Sequence, residues 1–382
     1  MALEELMQAI PIEAGTTQSS VELHSGIARL YPRVYGNLVQ EAGSKSKVGV
    51  ILVHPMSNFH GHHLLQPIAT SGLPIIGLNT RYAGNDAVII LENCLLDVDA
   101  AVRHARNTLG WEKVILAGFS GGGPLVSMYH KQSIKPSIKA TPAGDPPDFT
   151  TRELAKIDAL LLMASSPSRA QLLTEFIDPS VIDEKNPDLV DEEYNLYAEG
   201  RTLPLDRDWV ARYRVKQKER MQRLEDWVVA ELDRLGKMGI RDRAFIVHKT
   251  VADPRFVDIT IDPSDREVGT IWGDGKAANQ ACGPMGRFTS LRSWLSTWSP
   301  TYSNGDTCRN LAEAEVPVCI IGMGADQGSL SVHNEQQRDA VPPELLDYTM
   351  LKGATHYFFG QPEMFPKTVK IINDWREKRG LV

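Results

Sequence analysis

Short, almost wholly apolar runs recur along this chain, and they constrain its fold more than any other feature. They fall at residues 48–53 (VGVILV), 74–78 (PIIGL), 114–117 (VILA), 159–163 (ALLLM), 316–321 (VPVCII) and 347–351 (DYTML). A strand with one face in water alternates apolar and polar residues, whereas these runs are apolar on both faces. Both faces must therefore be covered, as in a parallel sheet with helices on either side. Helical spacing supplies the cover. Leu91, Leu95, Val98 and Val102 recur at intervals of four, three and four, and a last helix spans residues 362–378. Residues 21–39 read as an antiparallel hairpin at the sheet edge. The expected fold class is α/β, a mostly parallel central sheet of about eight strands flanked by helices.

The alternation breaks after the run at 159–163 and resumes at 316. The stretch between holds a long helical segment rich in Arg, Lys and Glu at 209–235, then a Gly-, Ser- and Trp-rich tract. A separate downstream domain is the other reading, but the later strands need the earlier ones as partners. The expected division is therefore a core of residues 1–171 and 311–382 with an inserted, mainly helical cap at 172–310. A length of 382 residues suits one large α/β domain carrying such an insertion.

The strand at 114–117 runs straight into Gly118-Phe119-Ser120-Gly121-Gly122 and then into a helical pattern. This is G-x-S-x-G between strand and helix, the context in which the motif presents a nucleophilic serine. The alternative, a phosphate-binding turn, lacks both a loop lysine and G-x-G-x-x-G spacing. A serine hydroxyl needs a base, and the base an orienting acid, expected here in the chain order Ser, acid, His. Asp326 follows one late strand and His356 the next, so they sit on successive loops. Taken singly, Asp326 also reads as a helix cap and His356 as a packed loop histidine. With Ser120 in the required order they read as a triad. For the oxyanion hole the expected donors are the N–H groups of Gly121 and Met56, with Ser57 as substitute, because Pro55 has no N–H.

Around these residues, Ser57, Arg81, Tyr82, Trp272, Trp294, Trp298 and Tyr357 are candidate substrate-binding positions, and Phe288 could also line an apolar cavity. Cap–core packing is the competing role for Trp272, Phe288, Trp294 and Trp298, and holding loops together by hydrogen bonds is the competing role for Arg81 and Tyr82. His60, His62 and His63 invite a metal, yet no H-E-x-x-H and no acidic residue accompany them, so the reading is no metal. The charged helix at 209–235 reads as a solvated face of the cap. A net charge of −7 disfavours nucleic acid as a partner. No run approaches a membrane span, and Glu4 and Glu5 stand where a signal peptide would carry positive charge, so a cytoplasmic protein off the membrane is expected. Four dispersed cysteines argue against a disulfide scaffold. A homodimer through the cap or the first twenty residues is possible.

The elbow at Ser120, the acid at Asp326 and the histidine at His356 resemble the α/β-hydrolase superfamily in its capped form. The likeness spans residues 45–170 and 315–380. His54-Pro55-Met56-Ser57-Asn58-Phe59, Asn79-Thr80-Arg81-Tyr82-Ala83-Gly84-Asn85-Asp86 and the glycines after Ser120 are similar to a bacterial subgroup of functionally undefined hydrolases. The chain departs from the common pattern in placing Pro55 where His-Gly is usual. The resemblance implies a serine hydrolase without cofactor, acting on a small to medium apolar or aromatic ester, lactone or thioester. Carbon–carbon hydrolysis of vinylogous diketones, and a ligand-binding protein without turnover, remain as alternatives.

Overall fold

The computed structural model describes residues 2–12 and 31–382. Twelve strands lie among them: β1 (Leu3–Pro11), β2 (Arg33–Glu41), β3 (Val48–His54), β4 (Ile75–Asn79), β5 (Lys113–Phe119), β6 (Ala159–Met163), β7 (Val181–Asp183), β8 (Asn186–Val190), β9 (Ala244–Ile246), β10 (Phe288–Ser290), β11 (Val318–Met323) and β12 (Leu346–Leu351). Eight of these form one sheet, in the order β1-β2-β4-β3-β5-β6-β11-β12. The pairs β1–β2 and β2–β4 are antiparallel, and the other five pairs are parallel.

Alternation across the pleat explains the unbroken apolar runs. In β3, Ile51 and Val53 join Leu116, Leu160 and Leu162 on one face, against Leu95, Val98 and Val102 of the helix Leu91–Asn107. Val50 and Leu52 join Ile115, Ala117 and Leu161 on the other, against Ile372 and Trp375 of the helix Met364–Lys378. Each face thus carries its own core.

The edge hairpin expected over residues 21–39 is replaced by a different pairing. Residues 33–41 do form a strand, but β2 runs in register with Leu3–Pro11, Leu3 opposite Glu41 and Pro11 opposite Arg33. Residues 21–30 lie outside the described residues. The sequence of β1, LEELMQAIP, is built mostly of helix formers, so only the pairing with β2 makes it a strand.

The segment between β6 and β11 builds apolar clusters of its own. One gathers Leu173, Met221, Leu224, Val228, Trp294 and Trp298, and another Tyr194, Leu196, Trp209 and Tyr213. Both depend on the helix Arg207–Gly236, started by Asp206, whose carboxylate accepts from the Trp209 N–H at 2.8 Å. This helix is not simply the solvated face expected of it. Trp209, Tyr213, Gln217, Arg220, Met221, Leu224 and Val228 form a buried stripe at helical spacing. The polar members of the stripe are satisfied: Gln217 donates to the Ile177 carbonyl at 2.9 Å, and Arg220 to Glu184 at 2.7 Å and the Asp178 carbonyl at 2.6 Å.

Two buried polar ties hold the segment to the sheet layers. Ser296 Oγ accepts from the Leu91 N–H at 2.8 Å and donates to Glu92 at 2.7 Å, while Asn304 donates to the other Glu92 oxygen at 2.9 Å. Burial pushes the Glu92 carboxyl up from its ordinary range. On the far side, Glu175 of the helix Arg169–Phe176 meets His333 Nε2 at 2.8 Å. Burial alone would raise the Glu175 pKa, but His333 and Arg255 outweigh it and hold the carboxyl well below the usual range.

Candidate active site

From β3 the chain forms β4 on one side, then crosses to form β5 on the other. The loops after β3 and β5 therefore flank a crevice at the carboxyl ends of the strands, where open α/β sheets collect their ligands. Ser120 follows β5 with φ at +53°, a left-handed conformation that a side chain adopts only under constraint. Its N–H donates to the Met163 carbonyl at 3.0 Å, and its carbonyl accepts from the N–H groups of Gly123 and Ser166, each at 3.2 Å. The close turn demands glycine nearby: a Cβ on Gly118 would stand 2.6 Å from the Gly122 backbone.

Asp326 and His356 follow β11 and β12. His356 Nδ1 and Asp326 Oδ2 are 2.6 Å apart, with only 3% and 1% of the two residues exposed. Asp326 Oδ1 accepts from the N–H groups of Gly328 and Ser329 at 2.7 and 3.0 Å, which fixes the carboxylate. The imidazole is gripped by Phe119 and Tyr357, ring centroids 5.3 and 4.5 Å away. Its Nε2 is buried and makes no hydrogen bond, to Ser120 Oγ or to any other described group. Such bonds commonly tighten only when substrate is present.

The loop after β3 is arranged differently from expectation. The N–H groups of Met56 and Ser57 both donate to His54 Nδ1, at 3.2 and 3.1 Å. An Nδ1 that accepts twice carries no proton, so the proton of the neutral ring is on Nε2. Burial, and then the Arg169 charge, hold the His54 pKa well below the ordinary histidine value. Its Nε2 lies beside Gly121, 2.8 Å from where a Cβ on that glycine would stand.

A cavity of about 160 Å³ opens on Ser120. Of the expected positions, Met56, Ser57, Gly121, Trp272 and Tyr357 line it. Arg81, Tyr82, Trp294 and Trp298 do not. Arg81 is buried against Asp97, with guanidinium-to-carboxylate distances of 2.7 and 3.0 Å. Tyr82 is buried and accepts from Asn93 at 2.9 Å. The two tryptophans fill the core of the inserted segment, and Phe288 is about half exposed. Of the other histidines, His62 and His63 pack on Phe119, with centroids 4.8 and 5.6 Å away, and burial lowers their pKa values to about 2 and about 4. His60 donates from its backbone N–H to Asn58 Oδ1 at 3.1 Å, and its Nε2 lies 3.2 Å from the Tyr35 carbonyl on β2. Among the described residues no group of three or more His, Cys, Asp or Glu is placed to hold a metal.

Residues not singled out from the sequence also line the cavity: His54, Asp86, Ser166, Arg169, Leu172 and Phe176 among them. Ser166 and Arg169 follow β6, so the strand-end position that marked Asp326 was a signal for them too.

No protein-family model and no curated protein matches the sequence. Solved structures do match in shape. The α/β hydrolase GrgF from Penicillium sp. sh18 superposes with a TM-score of 0.50 at 8% identity, covering 100% of each chain. The esterase domain of a Rhodothermus marinus protein gives 0.49 at 8% identity over 99% of each chain. An α/β-fold family hydrolase from Bacillus anthracis gives 0.45 at 12% identity, over 98% of this chain and 99% of that one. No helix among the described residues is long and apolar enough to cross a membrane.

Proposed function

Starting from a chain with the α/β-hydrolase fold, we propose that this protein is a serine hydrolase that cleaves a small carboxylic ester, lactone or thioester through an acyl-enzyme on Ser120. One observation carries the reading. A serine held at positive φ between β5 and a helix opens on a cavity beside a buried His–Asp pair whose distal nitrogen has no partner.

The roles follow from the hydrogen bonds. Asp326 accepts from His356 Nδ1, so the neutral ring presents Nε2 as a base. Ser120 Oγ bonds to the acyl carbon as its proton passes to Nε2, and the same proton leaves with the alcohol or thiol. Water then reverses the sequence and frees the acid. The oxyanion is met by the Gly121 N–H, which as helix N-cap has no partner within the helix. Since Met56 and Ser57 both donate to His54, the second donor in this reading is His54 Nε2–H.

The size of the cavity bounds the substrate. About 160 Å³ is below the range of about 300–1,000 Å³ usual for drug-sized ligands, which suits a short acyl group. Leu172, Phe176, Ile271, Trp272 and Met285 supply an apolar wall, largely from residues 172–310, which in this reading act as the cap.

The test is intact-mass labelling with a fluorophosphonate. A single adduct is expected on the wild type, none on Ser120→Ala, and strongly slowed labelling of His356→Ala. An adduct that survives Ser120→Ala would remove Ser120 from the nucleophile's role.

A further inference from the structure

The cavity lining also contains a cation that has no ion-pair partner among the described residues. Arg169 is 6% exposed, and no carboxylate among the described residues lies within 4.0 Å of its nitrogens. Its Nε has no hydrogen-bond partner, and its one recorded side-chain contact to a polar atom is a long one, 3.7 Å to Met56 Sδ. The guanidinium lies over Trp298, 4.4 Å from the ring centroid, which orients it without neutralising it. Asp86, the carboxylate on the cavity wall, stands beyond ion-pair distance, although its charge still favours the cation. Burial lowers the Arg169 pKa only to about 10, so the group is a cation at neutral pH.

Buried charges are normally paired, because an isolated one loses its hydration and gains nothing in return. Three other buried arginines obey that rule, Arg81 meeting Asp97, Arg220 Glu184 and Arg255 Asp253, while Arg266 and Arg287, which also lack a carboxylate, donate to backbone carbonyls as Arg169 does not. Arg169 is held away from such a partner by its own helix, fixed through Glu175 to His333 and through Gln171 to Gln336 at 3.0 Å. Beside it on the same wall, Ser166 is 1% exposed with a hydroxyl that also lacks a partner. The Arg169 Nε and the Ser166 hydroxyl are thus donors without acceptors on residues that line one cavity. Arg169 stands next to Gly121, since a Cβ there would lie 2.8 Å from its Nη1.

We propose that Arg169 and Ser166 form a subsite for a carboxylate carried on the acyl half of the substrate, which is then the half-ester of a short dicarboxylic acid. This rests on Ser120 as nucleophile, and deepens that reading. The acyl half is specified because Gly121 receives the acyl oxygen and Arg169 adjoins Gly121. A short acid is specified because the cavity is small. A guanidinium fork offers a carboxylate two parallel hydrogen bonds, which a neutral acyl chain cannot use. Hydrolysis of the half-ester takes up one water, breaks the acyl C–O bond at Ser120 and releases the alcohol, the dicarboxylate and a proton.

The test compares monoethyl succinate, glutarate and adipate with ethyl butyrate and ethyl pentanoate, by proton release. The wild type should favour a half-ester in kcat/KM by roughly 10- to 100-fold, the value of one charge-assisted hydrogen bond. Arg169→Met should abolish that preference, and Arg169→Lys, which keeps the charge but not the fork, should retain part of it. A wild type that prefers the neutral esters overturns the proposal without any variant. So does an equal loss on both ester classes in Arg169→Met. Calorimetric titration of Ser120→Ala with glutarate separates this proposal from the one beneath it. Millimolar binding that is lost in Ser120→Ala/Arg169→Met upholds the subsite even if the fluorophosphonate leaves Ser120 unlabelled. No binding to Ser120→Ala overturns it even if Ser120 is labelled.

Discussion

Lowering the pH from 7 to 5 should destabilise this protein through histidines that are built to stay neutral. His54 Nδ1 accepts from the N–H groups of Met56 and Ser57, and His130 Nε2 accepts from the Glu315 N–H at 3.1 Å. Protonating either nitrogen would set a donor against a donor inside the protein. Burial lowers the pKa of His130 to about 4 and that of His54 well below its ordinary value of 6.5. The folded pKa values are thus depressed, and the unfolded chain binds more protons at every pH below about 6.5. Stability is fully present above that value and falls as the pH drops towards the folded pKa. Between pH 7 and 5, His130 removes about 2 kcal/mol, and His54 adds to the loss in the same direction. His62 and His63, lowered to about 2 and about 4 but partly exposed, add to this by less. Against a typical stability of about 5–15 kcal/mol the loss is large. Urea titrations at pH 7, 6 and 5 measure it directly. His130→Gln, whose amide oxygen can still accept from Glu315, should flatten the dependence by about 2 kcal/mol. A stability that changes by less than about 1 kcal/mol over this range, or a His130→Gln slope equal to the wild type, would refute the reasoning.

Three further perturbations test other joints of the structure. Asp326→Asn can still accept from Gly328 and Ser329 but no longer fixes the His356 tautomer; steady-state kinetics should show kcat reduced by about 10³- to 10⁴-fold with the melting temperature little changed. Gly121→Ala drives a methyl against Arg169 Nη1 and His54 Nε2; kcat/KM should fall at least about tenfold, and unimpaired turnover would show that neither group need stay where it is. Glu92→Ala leaves the Ser296 hydroxyl and the Asn304 amide without their common acceptor; chemical denaturation should show a loss of about 2–3 kcal/mol.

What was legible in the sequence was whatever local pattern dictates. The strands of the parallel sheet announce themselves because burial on both faces leaves no room for polar residues, and β3 is buried at every position. The elbow is legible because its turn tolerates only small residues around Ser120. β1 was not legible, since its residues suit a helix and only β2 makes it a strand. The loop after β3 was not legible for a related reason: the missing N–H of Pro55 pointed to Met56 as a donor, but nothing in the local sequence says that His54 would turn its Nδ1 back onto Met56 and Ser57. The substrate positions show the same division. Arg81 was chosen over Arg169, and both end or follow sheet strands. They differ only in what the rest of the chain brings to them. Asp97, sixteen residues away on a core helix, reaches Arg81, and among the described residues no carboxylate comes within ion-pair distance of Arg169. An arginine at a strand end is therefore ambiguous until its counter-ion is known.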